Sequence, residues 1–243
     1  MFQLARTMLS RIARGRNDVI ECVDGDLIDR IKSKRLTYLS DNKLASISNT
    51  CREIERKGLA GCFIEAGCAL GGSAILVATL KSEDRAFNVY DVFGLIPAPT
   101  AEDTDDVHQR YRAIVEGKSQ GIGGDRYYGY EENLIDKVKN NFSDFGINID
   151  ARNVRLIKGL LQDTMNIEGK VAFAHIDVDW YDPVKTSFER IFPKLVVGGS
   201  IIFDDYLDWG GCRKAVDGYL RTIVGKVTID DAAGSLKITK LGD

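Results

Sequence analysis

Glu65-Ala66-Gly67-Cys68-Ala69-Leu70-Gly71-Gly72-Ser73 is the stretch whose reading decides the fold. An apolar run of strand length, residues 62–66, leads into it, and a run of helical length, residues 72–81, leads out. Glycines at a strand-to-helix turn let a ligand approach the backbone, and the helix start offers free N–H groups to a carboxylate. The spacing is Gly-x-x-x-Gly, not the Gly-x-Gly-x-x-Gly of pyrophosphate binding, and no Lys-Ser/Thr pair follows as a phosphate loop requires. A turn that serves packing alone stays open at this point.

The alternation continues outward. Apolar runs at 86–91, 154–158, 171–177 and 199–204 have strand length, and amphipathic stretches at 131–145, 183–192 and 211–223 have helical period. Strand and helix in turn predict a parallel sheet with helices on both faces. The tail differs: residues 226–230, a turn at Ala233-Gly234 and residues 235–240 read as an antiparallel hairpin. The expected fold is α/β: a Rossmann-like, seven-stranded, mostly parallel sheet with a C-terminal hairpin. Residues 1–58 read as an N-terminal helical extension, in which Asp41 caps a helix carrying Leu44, Ile47, Cys51 and Ile54 up to Gly58. Residues 59–243 form the sheet domain. Within it, 93–130 breaks the alternation with two prolines, an acidic knot at 102–106 and six glycines. A long irregular loop over the carboxyl ends of a parallel sheet is expected to be a lid, and the acidic knot to be a solvated surface.

Composition excludes several classes. Among 243 residues, 33 Lys and Arg stand against 36 Asp and Glu, a net charge of −3, so no broad basic face for nucleic acid or membrane is indicated. No apolar run approaches the roughly 18–20 residues of a membrane span. Five cysteines without a CxxC pair, with only two histidines, exclude Cys/His zinc sites, and the odd count points to a reducing cytoplasm. Residues 1–16 carry four arginines and no acid, with Phe2, Ala5, Met8, Leu9 and Ile12 at helical spacing. A targeting segment and an amphipathic helix docked on the core or on a second subunit both fit; a homodimer is the first expectation.

Carboxylates stand at the ends of the strand-like runs. Asp91 closes the second, 24 residues after Gly67; Asp177 and Asp179 follow the fourth, and Asp204 and Asp205 the fifth. In a parallel sheet these positions share one rim. Converging carboxylates without nearby Lys or Arg repel and raise one another's pKa, and a hard divalent cation relieves this. Oxygen-only donors favour Mg²⁺, Mn²⁺ or Ca²⁺ over zinc.

An acid preceding Gly-x-x-x-Gly resembles the first motif of S-adenosylmethionine-dependent methyltransferases, with Asp91 placed for the ribose hydroxyls. Glu-x-Gly-x-x-x-Gly-Gly, the strand-end Asp, Gly-x-x-x-Asp-Thr, Asp-x-Asp-x-Tyr and Gly-Gly-x-x-x-x-Asp-Asp-Tyr occur in that order over residues 36–220. The set resembles the macrocin O-methyltransferase family and, more distantly, the metal-dependent catechol and caffeoyl-CoA O-methyltransferases. The resemblance implies a class I methyltransferase fold that uses S-adenosylmethionine and Mg²⁺ on a small hydroxylated acceptor. It assigns Glu65, Gly67, Gly71 and Ser73 to the methionine portion, Asp91 to the ribose, and Gln162 and Asp163 to the turn near adenine. Thr37 falls in the N-terminal segment that covers the cofactor. Asp177, Asp204 and Asp205 match the metal ligands, and Asp179 the general base. The chain departs from the family in Val178, where Gly is common, in His175, where Arg is common, and in an idiosyncratic lid, which leaves the acceptor open. His108, in the lid, is a rival base. A nicotinamide oxidoreductase and a degenerate cofactor-binding regulator or scaffold are the alternatives.

Overall fold

The central strand is β1 (Cys62–Ala66), in a computed structural model that describes residues 24–242. The segment 1–16 lies outside the described residues. β1 pairs in parallel with β2 (Phe87–Asp91) on one side and β4 (Val171–Ile176) on the other. β3 (Val154–Lys158) extends the sheet beyond β2, and β5 (Leu195–Phe203) extends it beyond β4, both parallel. β6 (Val227–Asp230) and β7 (Leu236–Lys240) form the hairpin, with β7 antiparallel to β5. The order is β3-β2-β1-β4-β5-β7-β6, a seven-stranded sheet of the expected class. β5 starts four residues before the expected position. Gly198 and Gly199 lie where its register against β4 shifts, and a β-carbon on Gly199 would stand 2.8 Å from the Ala172 carbonyl.

Period-two alternation sends β1 side chains to two cores. Phe63 packs with helices α1 (Gly25–Ser33), α2 (Asp41–Arg56) and α3 (Gly72–Leu80) through Ile31, Leu44, Ile47 and Ile75. Ile64 faces the opposite cluster, where Val184, Phe188 and Val216 come from α7 (Tyr181–Ile191) and α8 (Gly210–Leu220). Residues 72–78 of α3 are all buried, which explains a helix apolar on every side: it lies between α2 and the sheet. α2 is capped by Ser40, whose Oγ accepts from the Lys43 N–H at 3.3 Å; Asp41 is its first helical residue, not its cap.

The insertion 93–130 is more regular than expected. It holds α4 (Asp105–Val115) and two 3₁₀ turns, Ile122–Gly124 and Tyr128–Tyr130, before α5 (Leu134–Asp144). Nor is the acidic knot simply solvated. Asp103 accepts from the Tyr181 N–H at 2.7 Å, Asp106 from the Gly210 N–H at 3.1 Å, and Glu102 pairs with Lys214 at 2.9 Å. Asp103 and Asp106 thereby meet free N–H groups at the positive ends of α7 and α8.

Candidate active site

Strand order reverses between β1 and β4, and in such sheets the crevice outside their carboxyl ends is where ligands bind. Gly67 turns the chain there at φ +81°, and a β-carbon would stand 1.8 Å from the Asp177 carbonyl oxygen, so only glycine fits. The Asp177 N–H donates to the Ala66 carbonyl at 2.8 Å, so the ends of β1 and β4 are tied together. At the helix start, Gly72 lets the segment before α2 cross closely: its N–H donates to the Leu36 carbonyl at 3.1 Å.

A cavity of about 570 Å³ opens over this rim. Gly67, Asp91, Gln162, Asp177, Asp179, Asp204 and Asp205 line it; Thr37, Glu65, Gly71, Ser73 and Asp163 do not. Thr37 accepts from the Leu39 N–H at 3.1 Å and shapes the crossing segment. Gly71, at φ +90°, is the cap residue of α3. Asp163 is exposed on the short α6 (Leu161–Thr164). Glu65 is fully buried behind the turn, where Oε1 accepts from Ser73 Oγ and lies 3.2 Å from His175 Nδ1.

Asp91 is locked in place. Oδ2 accepts from the N–H groups of Cys68 (2.8 Å) and Ala69 (3.3 Å), and Oδ1 from Phe93 (2.6 Å). Burial raises its pKa above the ordinary carboxylate value against the pull of these donors.

Asp177, Asp204 and Asp205 each bring one ligand oxygen within 4.8 Å of the other two. The expectation that no basic group stands nearby is overturned. Lys43, from α2, donates to Asp204 Oδ2 at 2.9 Å, to the Asp204 carbonyl at 3.1 Å and to Asp208 at 2.8 Å. His175 is buried between Glu65 and Asp204; burial pushes its pKa down, but Glu65, Asp204 and Asp177 outweigh that and hold it up to about 10. Burial also acts most strongly on Asp204, yet His175 and Lys43 bring it below the ordinary value. Asp177 and Asp205 lie well above it, through burial and then through neighbouring carboxylates. Asp179 is raised to about 6 by burial and then Asp204, with Arg110 opposing. Asp204 Oδ1 is buried without a hydrogen-bond partner, as is His175 Nε2, the two being 3.8 Å apart.

The other wall is aromatic. Tyr38 and Tyr128 approach at 6.0 Å between ring centroids, Tyr127 and Tyr128 at 4.5 Å, and the Arg110 guanidinium stands 5.6 Å over Tyr127. Trp180, beside Trp209, donates through Nε1 to the Pro97 carbonyl at 3.0 Å. Sequence reasoning found neither these side chains nor Lys43. The adjacent tyrosines 127, 128 and 130 in a glycine-rich stretch were the available signal for the aromatic wall. His108, on α4, does not line the cavity.

A family model described as Macrocin-O-methyltransferase (TylF) matches residues 29–231. The chain is 26% identical over 191 residues to the demethyldecarbamoylnovobiocin O-methyltransferase of Streptomyces niveus, covering 75% of this chain and 67% of that protein. It is 28% identical over 190 residues to an 8-demethyl-8-(2,3-dimethoxy-alpha-L-rhamnosyl)-tetracenomycin-C 4'-O-methyltransferase of Streptomyces olivaceus, with the same coverage. The structure of the O-methyltransferase NovP superposes with a TM-score of 0.70 at 22% identity, over 85% of this chain and 83% of that one. With five-sixths of its length matched by that model, the chain belongs to the macrocin O-methyltransferase family, a family of O-methyltransferase enzymes.

Proposed function

We propose that the protein transfers the methyl group of S-adenosylmethionine to a hydroxyl of a sugar or other small natural product, with a divalent cation at Asp177, Asp204 and Asp205. One observation carries the reading: the locked Asp91 beside the Gly67 turn and the three clustered carboxylates face the same cavity. The relatives' names, one of them a 4'-O-methyltransferase acting on a rhamnosyl group, support a sugar hydroxyl as acceptor.

The residues fit both groups. The backbone at Gly67 leaves room for a ligand, and Asp91, fixed by three N–H groups, keeps a lone pair on Oδ1 for a ribose hydroxyl without reorganising. Gln162 and Leu160 continue that wall toward the adenine end. Glu65, Gly71, Ser73 and Thr37 serve the cofactor from behind, by holding the shape of the turn and of the segment crossing it. For the cation, the donors are all oxygen, and Asp204 Oδ1 is a buried acceptor still unsatisfied.

S-adenosylmethionine supplies a methyl made electrophilic by its sulfonium, and a divalent cation lowers the pKa of a hydroxyl and offsets charge developing on it. The chain supplies alignment, a proton acceptor and a dry enclosure. The Asp179 carboxylate faces the cavity and takes the proton that the acceptor hydroxyl loses. Tyr38, Tyr127, Tyr128 and Trp180 cover the apolar faces of the acceptor, and the insertion that carries Tyr127 and Tyr128 limits entry of water. Holding two reactants in line contributes on the order of 7–11 kcal/mol at most.

The test is methyl transfer to a panel of glycosides and phenols, with and without EDTA. Cation-dependent release of S-adenosylhomocysteine is the expected result. Full turnover after EDTA stripping would remove the cation from the mechanism. Failure to bind S-adenosylmethionine in calorimetry, or binding of a nicotinamide dinucleotide in its place, would overturn the whole reading.

A further inference from the structure

Lys43 belongs to α2, yet its side chain reaches the end of β5, 161 residues away, and is only 13% exposed. An ammonium has three donors. Here they meet three acceptors: Asp204 Oδ2, the Asp204 carbonyl and Asp208 Oδ2. The contact is therefore a fixed part of the site, not a passing surface pair. Its consequence falls on Asp204, which has Oδ2 occupied while Oδ1 is buried without a hydrogen bond, its ionic neighbour His175 Nε2 standing 3.8 Å away. Asp205 is constrained in the same way, since its Oδ2 accepts from the Asp179 N–H at 3.0 Å.

We infer that Lys43 is a specificity-determining residue for the cation: by holding Asp204 Oδ2 it leaves that carboxylate a single oxygen to offer. The inference rests on the cation reading proposed above. Ca²⁺ takes six to eight oxygens in flexible geometry, and carboxylates often grip it with both oxygens. Mg²⁺ takes six in near-octahedral geometry, keeps several waters and needs only one oxygen from each of one or two carboxylates. A cluster in which two of three carboxylates each have one oxygen already engaged suits Mg²⁺ and handicaps Ca²⁺. Removing Lys43 also removes a positive charge, which strengthens binding of either ion alike. The ratio of the two affinities isolates the effect of the freed oxygen.

The experiment is calorimetric titration of the full chain with MgCl₂ and, separately, CaCl₂, for wild type, Lys43→Met and Asp208→Asn, with folding checked by circular dichroism. Wild type is expected to bind Mg²⁺ more tightly than Ca²⁺. In Lys43→Met the ratio should shift toward Ca²⁺ by on the order of tenfold, the scale of one added ligand. Asp208→Asn leaves Lys43 on Asp204 and should keep the wild-type ratio. Equal changes in both affinities in Lys43→Met would make Lys43 a competing charge only and overturn the inference. Wild type binding Ca²⁺ as tightly as Mg²⁺ would overturn it without any variant. A wild type that binds neither ion would remove the cation reading, and this inference with it.

Discussion

Asp179 stands at φ +55°, a left-handed conformation that Asp and Asn tolerate better than other side-chain residues. Its N–H donates to Asp205 Oδ2, so its backbone helps to set a candidate cation ligand while its side chain faces the cavity. Asp179→Asn keeps both the conformation and that N–H, and removes only the proton acceptor. Turnover should fall by about 10²–10⁴-fold, with Mg²⁺ affinity in calorimetry unchanged and no rescue by added Mg²⁺. A variant that regains activity with excess Mg²⁺ would make Asp179 a ligand instead. The strand-end acids were legible in the sequence because each closes an apolar run, and the sheet brings those ends to one rim. Asp177 and Asp179 share a wall without the alternation of an extended strand: the chain folds there so that the Trp180 N–H reaches the Val178 carbonyl at 2.5 Å. Lys43 was not legible at all. Helical period places it on α2, but nothing local in the sequence says that it reaches across to β5.

At the level of elements, the insertion 93–130 is where sequence and structure differ most. Its glycines and prolines suggested an irregular loop, and α4 escaped notice because it buries only Val107 and Ile114, seven residues apart on one face. What fixes the insertion lies elsewhere in the chain. A β-carbon on Gly210 would stand 2.4 Å from Thr104 Oγ1, and one on Gly211 2.3 Å from Asp103 Oδ1, so the glycine pair that opens α8 is the seat of the insertion. Asp103 holds both parts, accepting from the Tyr181 N–H and, at 2.9 Å, from the Thr100 N–H. Asp103→Ala leaves two donors without their acceptor, a local cost of about 1–2 kcal/mol. Limited proteolysis with mass spectrometry should show the wild-type insertion resisting cleavage without ligand, and the variant being cut within residues 93–130. Equal cutting rates would mean that other contacts hold the insertion. The strands and the other longer helices from α2 onward were legible because hydrophobic period reports burial: they bury continuous or regularly spaced apolar faces, and their boundaries moved by only a few residues, whereas the four-residue α6 is too short to show a period.

On the scale of the whole molecule, the acidic cluster works against the fold that carries it. Asp177, Asp179, Asp204 and Asp205 stand at the buried ends of two adjacent strands, and Lys43 and His175 meet mainly Asp204 among them. Asp205 is 5% exposed, and after burial the carboxylates of Asp179, Asp177 and Asp204 are the main influences that disfavour its charge. Asp205→Asn removes that repulsion and keeps an oxygen for the Asp179 N–H, so the apolar cores are untouched. In EDTA the variant should therefore be more stable than wild type, by about 0.5–2 kcal/mol, seen as a rise of a few degrees in Tm. Saturating Mg²⁺ should raise the Tm of wild type, because an ion bound only by the folded state shifts the equilibrium toward it. The variant should gain little, and the order of the two stabilities should reverse or close. A variant less stable than wild type in EDTA would show that the clustered acids are relieved within the chain itself, with Lys43 and His175 sufficient to balance them. Reversal on adding Mg²⁺ would show that the fold tolerates the repulsion because a cation offsets it.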